Sequence, residues 1–286
     1  GKVLAPSTEG GEVDADGTVT FTLDILFDGK DLSFLIGVFS GGDSLSPELK
    51  KRADKFLKEH NAGVQIREGY GLTECVTASA LTPNDDYRKG SVGLPYNGIT
   101  YKIVSTDNTN GPYTPLAPMT DGEIVLKGPT VMLGYLNEPE ETSKVLRIHE
   151  DGNVWLHTGD LGYMDEDGFI YLVDRKKDVI ITGGENLYPV QIEDFLRAHE
   201  KISDVAVIGL PHERLGEIAA AIIQVKDGME CTEDEIREFC LDLPRYKRPR
   251  KIIFADVPRN PTGKIEKPKL RERYSAGRLV EKATTN

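Results

Sequence analysis

Asp174-Arg-Lys-Lys-Asp-Val-Ile-Ile-Thr-Gly-Gly-Glu-Asn-Leu-Tyr-Pro189 is the stretch on which the reading of this chain turns. It opens with five consecutive charged residues, which cannot enter a core unpaired. Val179, Ile180 and Ile181 then make a short β-prone run, and Gly183-Gly184 permits a turn or a close backbone approach to a ligand. The sequence before it reads as strands and turns, and the sequence after it as a compact α/β unit. The charged run is therefore expected to join two bodies, residues 1–174 and 175–286. Taken alone, it fits a solvated surface turn equally well.

Length and composition narrow the field. A chain of 286 residues favours about two domains. Hydrophobic residues at 38% suffice for a real core, and 29% charged residues mark a soluble globular chain. A formal charge of −12 argues against a general binder of nucleic acid or anionic membranes. No apolar run approaches the roughly 18 residues of a membrane helix, and no signal peptide is visible. Cys75, Cys231 and Cys240 are odd in number and never spaced CxxC, which fits reduced thiols in a cytoplasmic protein. The start at Gly1, without Met, suggests a fragment or a processed product.

Along the chain, residues 1–17 read as a polar loop. Val19, Phe21, Leu23 and Ile25 alternate as a strand stopped by Asp28-Gly29. Leu32 to Ser40 is nearly continuous apolar sequence, as in a buried parallel strand. It ends in Gly41-Gly42-Asp43, after which Ser46 as N-cap and Pro47 at the first position start a helix through His60. A strand, glycine turn and helix form an α/β unit whose crest is open to a ligand. A short strand at Val64–Arg67 leads into Gly69-Tyr-Gly-Leu-Thr-Glu74, which is no dinucleotide fingerprint because Glu74 replaces the third glycine. Here Tyr70 offers a flat face for a base, Thr73 a hydroxyl for phosphate and Glu74 an oxygen for Mg²⁺; a tight turn with a capping Thr is the plainer alternative.

From Ser91 to Val173 short strands alternate with turns, best seen at Ile99–Val104, Gly122–Lys127, Val154–His157 and Phe169–Val173. This predicts a small antiparallel, barrel-like subdomain. His157-Thr-Gly-Asp160 places a carboxylate just after a strand, where Asp160 could accept from the two hydroxyls of a ribose, although Asp in a turn is commonplace. Beyond the charged run, Pro189 onward reads as a helix with Val190, Phe195 and Leu196 facing inward. Strands at Val205–Leu210, Ala219–Val225 and Arg250–Phe254 follow, and Thr232 with Glu235 makes a capping box. Lys247-Arg-Pro-Arg-Lys251 is basic within an acidic whole. Pro258-Arg-Asn-Pro-Thr-Gly-Lys264 presents one lysine on a loop that is not a Walker A motif. Residues 275–286 read as a frayed tail.

Together these pieces resemble the adenylate-forming superfamily of acyl-CoA synthetases, peptide-synthetase adenylation domains and luciferases. The motifs that carry the resemblance run in family order over residues 32–274. They are Gly41-Gly42-Asp43, Tyr70-Gly71-Leu72-Thr73-Glu74, Gly122-Glu123 with Gly128-Pro129 and Gly134-Tyr135, Thr158-Gly159-Asp160, Asp174 to Asp178, Gly183 to Pro189, and Pro261-Thr262-Gly263-Lys264. The resemblance implies an α/β and α+β chain: part of the large domain, holding a sheet–helix unit and a small barrel-like subdomain, then a small mobile α/β domain. It also implies roles. Residues 41–43, Tyr70 and Gly71 would form the adenine slot, and Thr73 would contact the α-phosphate. Glu74 would help hold Mg²⁺, and Asp160 with Arg175 would grip the ribose. Lys264 would bridge carboxylate and α-phosphate during adenylation. Lys177 would be the hinge, and Gly183 and Gly184 would flank the path of the CoA thiol.

The family's lysine-bearing loop around the β- and γ-phosphates has no counterpart in this sequence, so the chain is expected to be a C-terminal portion with little or no adenylating activity alone. The function implied for the whole is ATP-dependent acyl-CoA synthesis from a carboxylic acid, ATP and CoA. The alternatives are an aminoacyl-adenylating domain and a non-catalytic nucleotide- or CoA-binding module.

Overall fold

The structure, a computed structural model, describes residues 12–13, 19–20, 31–42, 45, 47–76, 78–107, 110–260 and 263–275. Expectations for Asp43, Ser46, Pro261, Thr262, most of residues 1–30 and the tail from 276 lie outside these. Among the described residues two main sheets account for the chain, and the charged run lies between them. A short pair, β1 (Glu12–Val13) with β2 (Val19–Thr20), stands apart.

The first sheet is built on β3 (Val38–Ser40) and β4 (Ile66–Gly71), which pair in parallel and are joined through helix α1 (Pro47–Glu59). Parallel neighbours need such a crossover. Six further strands continue its main path antiparallel: β5 (Ala78–Leu81), β6 (Ser91–Pro95), β7 (Thr100–Val104), β8 (Gly122–Lys127), β10 (Val154–Met164) and β11 (Ile170–Arg175). Their order is β3-β4-β5-β6-β11-β10-β8-β7, with β9 (Leu146–Ile148) beside β10. The barrel-like subdomain expected over residues 91–173 is thus an open antiparallel run, joined edge to edge to the sheet–helix unit. The run Leu32–Ser40 also differs from expectation. Three of its nine residues are in a strand, and Phe34 and Ile36 are 71% and 93% exposed. β3 is an edge strand whose pairing with β4 covers Val38 to Ser40, so the upstream apolar residues are not drawn into the ladder.

The second sheet is built from β12 (Ile180–Thr182), β13 (Glu185–Leu187), β14 (Ile202–His212) and β15 (Gly216–Val225) in the order β13-β12-β15-β14, with β16 (Lys251–Phe254) parallel to β15. Its long pair is β14 (Ile202–His212) and β15 (Gly216–Val225), in register from Asp204↔Gln224 to His212↔Gly216. Strand side chains alternate between faces, and here both faces are covered. Val205, Val207, Ala219, Ala221 and Ile223 pack on α3 (Pro189–Arg197) and α4 (Glu233–Phe239). Ala206, Ile208, Ala220 and Ile222 pack on Leu270 of α5 (Lys267–Ser275). Two covered faces explain why these strands read as unbroken apolar runs. The capping box forms as expected: the Thr232 hydroxyl accepts from Glu235 N–H, and Glu235 accepts from Thr232 N–H.

In α3 the buried apolar positions are Pro189, Ile192 and Leu196, the last two one helical turn apart. Phe195 is at the margin of the core, its ring tilted against Phe239, and Val190 is half-buried instead of inward. Helices α2 (Pro139–Val145) and α5 carry no clear apolar stripe, and neither is expected from the sequence. β12 (Ile180–Thr182) and β13 (Glu185–Leu187) form a hairpin around Gly183 and Gly184, whose φ angles of +59° and +89° suit the paired positive-φ turn that short hairpins favour.

Leu196→Ala should leave a cavity where α3 meets β14 and β15. We expect it to cost about 2–5 kcal/mol in urea unfolding, whereas Val190→Ala should cost less.

Candidate active site

The ends of β3 and β4 lie side by side. A Cβ on Gly41 would sit 3.6 Å from the Gly69 carbonyl oxygen, and Gly42 has φ +94°, a region that suits glycine. These glycines keep the backbone beside Gly69–Gly71 bare. Tyr70 follows, and its ring is not the open face anticipated for a base. It is 7% exposed, packed among Cys75, Ala80 and Tyr101. Its side chain falls on the core-facing side of the pleat, because Tyr70 pairs with Ala80, itself fully buried. The hydroxyl is what reaches the site, donating to Asp160 Oδ2 at 2.6 Å.

Asp160 sits where β10 departs from regular pairing. Opposite β8 the register shifts between His157 and Leu161, and Gly159 within that bulge has φ +71°. Bulges re-aim a side chain next to functional sites. Here the bulge also sets Asp160 opposite Arg175 on β11, whose Nε lies 3.4 Å from Asp160 Oδ1. Burial pushes the Asp160 carboxyl above the usual range, opposed by the Tyr70 hydroxyl and the Arg175 charge. Burial, reinforced by the neighbouring carboxylate, likewise drives the Tyr70 phenol upward, so it stays a donor. Arg175 remains half-exposed, and among the described residues no hydrogen bond engages its two terminal nitrogens.

Two groups that sequence reasoning placed in motifs without a role prove to hold this site. Glu123, on β8 and 6% exposed, accepts Gly159 N–H at Oε1 (3.2 Å), while its Oε2 lies 3.3 Å from His157 Nδ1 and 3.4 Å from Lys176 Nζ. Lys176 N–H donates to the Gly159 carbonyl at 2.8 Å, so the bulge is pinned through both backbone groups of Gly159. Behind it, His157 Nε2 is 2.9 Å from His149 Nε2, and burial pushes His149 down to about 4, keeping it neutral. The signal for Glu123 is a lone carboxylate in an otherwise apolar strand, Gly-Glu-Ile-Val-Leu, which has to find partners if buried. Tyr135 is the second such group: its hydroxyl donates to Glu74 Oε1 at 2.7 Å, and that bond is the main reason its phenol is pushed up to about 12.

Thr73 and Glu74 follow β4 on a single 3₁₀ turn, Thr73–Cys75, with Thr73 exposed and the Glu74 carbonyl accepting Met132 N–H at 2.8 Å. Val76 closes the turn at φ +76°, a costly conformation for a β-branched residue and a mark of a constrained segment. Among the described residues Glu74 Oε2 carries no hydrogen bond, and no group of three or more His, Cys, Asp or Glu side chains could hold a metal ion.

Lys264 lies on the other side. Its N–H donates to Asn260 Oδ1 at 2.9 Å in a loop closed by the Arg259↔Ile265 bridge, and Arg259 grips Asp204 of β14 at 2.7 and 2.9 Å. Among the described residues no hydrogen bond or ion pair joins the Lys264 side chain to Thr73, Asp160 or Arg175. Gly183 and Gly184 are likewise on the second sheet, with Gly183 N–H bonded to the Leu215 carbonyl. Lys177 is exposed in the turn between the sheets. So Gly41, Gly42, Tyr70, Gly71, Thr73, Glu74, Asp160 and Arg175 belong to the first sheet and the turns at its strand ends, and Lys264 and the glycine pair to the second body.

A mixed α/β sheet whose strand ends carry a glycine crest and a Tyr70–Asp160–Arg175 chain of contacts defines a class that comparison with known proteins makes specific. Residues 14–136 match the model of the AMP-binding enzyme family, and residues 191–264 that of the AMP-binding enzyme C-terminal domain. A long-chain-fatty-acid–CoA ligase of Salmonella typhimurium is 41% identical over 224 residues, 77% of this chain and 38% of the relative. A 2-succinylbenzoate–CoA ligase of Bacillus anthracis is 38% identical over 245 residues, 84% of this chain and 46% of the relative. Among solved structures, ATP-bound MatB from Rhodopseudomonas palustris superposes with a TM-score of 0.73 at 33% identity, covering 83% of this chain and 45% of that one. The chain belongs to the adenylate-forming, AMP-binding superfamily. It spans less than half the length of these curated relatives.

Glu123 yields a pH-dependent expectation. Burial pushes its carboxyl up, but the His157 ring and the Lys176 charge outweigh burial and leave it below the ordinary range. A carboxyl with a depressed folded pKa adds stability that is fully present above its unfolded value, about 4.3, and is lost as pH falls through the folded value. The stability gap between the unmodified chain and Glu123→Gln, from urea midpoints, should therefore be constant from pH 7 to 5 and narrow below about pH 4.3. A gap that widens on acidification would contradict the assignment.

Proposed function

We propose that this chain carries the nucleotide-gripping and lysine-bearing parts of an ATP-dependent acid–thiol ligase, which converts a carboxylic acid, ATP and CoA into an acyl-CoA through an acyl-adenylate. The observation that carries the reading is Asp160 held between the Tyr70 hydroxyl and the Arg175 guanidinium, an acceptor and a donor side by side, with Tyr70 on the strand that meets the Gly41-Gly42 crest at Gly69. Membership in a family whose relatives are CoA ligases supports the reaction class. Fatty or aromatic acids are the substrate class those relatives suggest.

On this reading residues 1–174 contribute to the large nucleotide-binding domain and residues 175–286 form the small domain. Asp160 accepts hydrogen bonds from the ribose hydroxyls, with Tyr70 fixing the carboxylate and Arg175 donating from the other side. The bare backbone at Gly41, Gly42 and Gly71 lets adenine approach. Thr73 donates to the α-phosphate, and Glu74, oriented by Tyr135, offers Oε2 to Mg²⁺, which neutralises phosphate charge when bound. The Lys264 ammonium stabilises the negative charge that builds between carboxylate and α-phosphate during adenylation. Among the described residues no hydrogen bond or ion pair joins Lys264 to Asp160, so on this reading the second sheet moves about Lys177 to bring the lysine in. Gly183 and Gly184, bare at the tip of the β12–β13 hairpin, then leave room for a thiol-bearing chain.

ATP–pyrophosphate exchange tests this on the chain alone and on the chain mixed with the N-terminal portion of a homologous CoA ligase. Little exchange alone and restored exchange on mixing, dependent on fatty or aromatic acids, is the expected outcome. Binding of AMP without any exchange on mixing would favour a non-catalytic module. In the active mixture Lys264→Ala should lower exchange by about 10²–10³ and spare thioester formation from supplied acyl-AMP and CoA. Equal loss of both steps would refute the role given to Lys264.

A further inference from the structure

Among the described residues the chain passes from the first sheet to the second once, along residues 174–179, and nearly every position there is fastened. Arg175 faces Asp160, and Lys176 is tied to Gly159 and Glu123 of the first sheet. Asp178, 8% exposed, is held by Arg271 of α5 on the second. Lys177, between these opposed ties, is exposed and its side chain makes no hydrogen bond among the described residues.

Asp174 stands out because it reaches across. It belongs to β11, paired with Leu161 of the first sheet, yet its Oδ2 accepts the N–H of Val190 in the first turn of α3, at 3.0 Å, while Oδ1 accepts Arg175 N–H at 2.7 Å. The first backbone N–H groups of a helix need acceptors from outside it. In α3, Pro189 has no N–H and the N-cap residue, Tyr188, supplies no side-chain bond. A carboxylate from the other sheet therefore does the capping, where the helix dipole also favours negative charge. Asp174 is 8% exposed and feels Lys267 and Glu193, which are themselves paired at 2.8 Å in the second body.

We infer that Asp174 is a catch: it holds the two sheets in the arrangement seen here by capping α3 across the junction, and its release frees rotation about Lys177. Asp174 is a positioning residue, distinct from the groups that touch nucleotide. The motion it restrains is physical and measurable without substrate, whereas its consequence for catalysis rests on the ligase reading above.

The test is a distance distribution between spin labels on cysteines introduced at exposed Val154, on β10, and Met229, beyond β15, with Cys231 replaced by Ser. The unmodified arrangement should give one dominant distance. Asp174→Ala should raise the population outside it roughly five- to tenfold, the effect of losing one helix-capping contact. Asp174→Asn, whose amide oxygen still accepts from Val190, should fall between. Hydrogen exchange at Val190 should quicken in Asp174→Ala and stay slow in Asp174→Asn, a readout that general destabilisation would not split. An Asp174→Ala distribution identical to the unmodified one would overturn the inference, and so would unaltered Val190 exchange. If Asp174→Ala does not fold, a population outside the dominant distance that is larger in Asp174→Asn than in the unmodified chain, with Val190 still slow, supports the catch; a distribution identical to the unmodified one, or a fast Val190, overturns it. Failure of the ligase reading would show separately, as absent pyrophosphate exchange with the distances unchanged.

Discussion

The site depends on one partly buried carboxylate. Asp160 lies at the junction of three strands, and each supplies something it needs: β10 the bulge that turns it inward, β4 the Tyr70 hydroxyl, β11 the Arg175 guanidinium. An isolated carboxylate would be costly in that position. Partnered on both oxygens it is held in a single orientation, which is the condition for reading the two hydroxyls of a sugar. Burial and partners act in opposite directions on its pKa, with burial the larger. The site thus holds its carboxylate less comfortably than a surface salt bridge would, a state typical of functional positions.

The supporting shell explains why the bulge keeps its shape. Gly159 offers one N–H and one carbonyl, and both are taken, by Glu123 and by the backbone of Lys176. Glu123 is in turn paired with His157 and Lys176, so a polar cluster in β8 and β10 links the ribose-facing loop to the residues that leave the first sheet. The same crossing is tied to the second sheet through Asp178 and Arg271, on the helix that begins three residues after Lys264. Site and crossing are in this way one connected set of contacts that continues onto α5, the helix that follows the Lys264 loop.

Much of this was legible in the sequence, and what was not has identifiable causes. The strands of the second sheet could be read because both faces are covered, which leaves unbroken apolar runs at 205–210 and 219–223. The capping box at Thr232 was legible because its two partners are three residues apart. Motif order placed the site residues together without showing how. Tyr70 could not be read as buried, because an aromatic beside glycines suits a stacking surface and a core equally; its neighbour across the ladder, Ala80, decides, and that pairing is not local. The junction was harder still. Asp174 caps a helix sixteen positions on, and the charged, stripe-free α5 owes its position to Leu270, Lys267 and Arg271 meeting partners far away in sequence. The exposed Phe34 and Ile36 show the opposite limit, since an apolar run predicts burial only where the ladder extends to cover it.

The central claim, that Asp160 and Arg175 grip a ribose diol, is tested most directly by calorimetric titration of the chain with AMP and with 2′,3′-dideoxy-AMP. Hydrogen bonds to charged groups are worth about 1.5–3 kcal/mol, so the account predicts at least about tenfold weaker binding of the dideoxy compound. Equal affinities for the two nucleotides would contradict it.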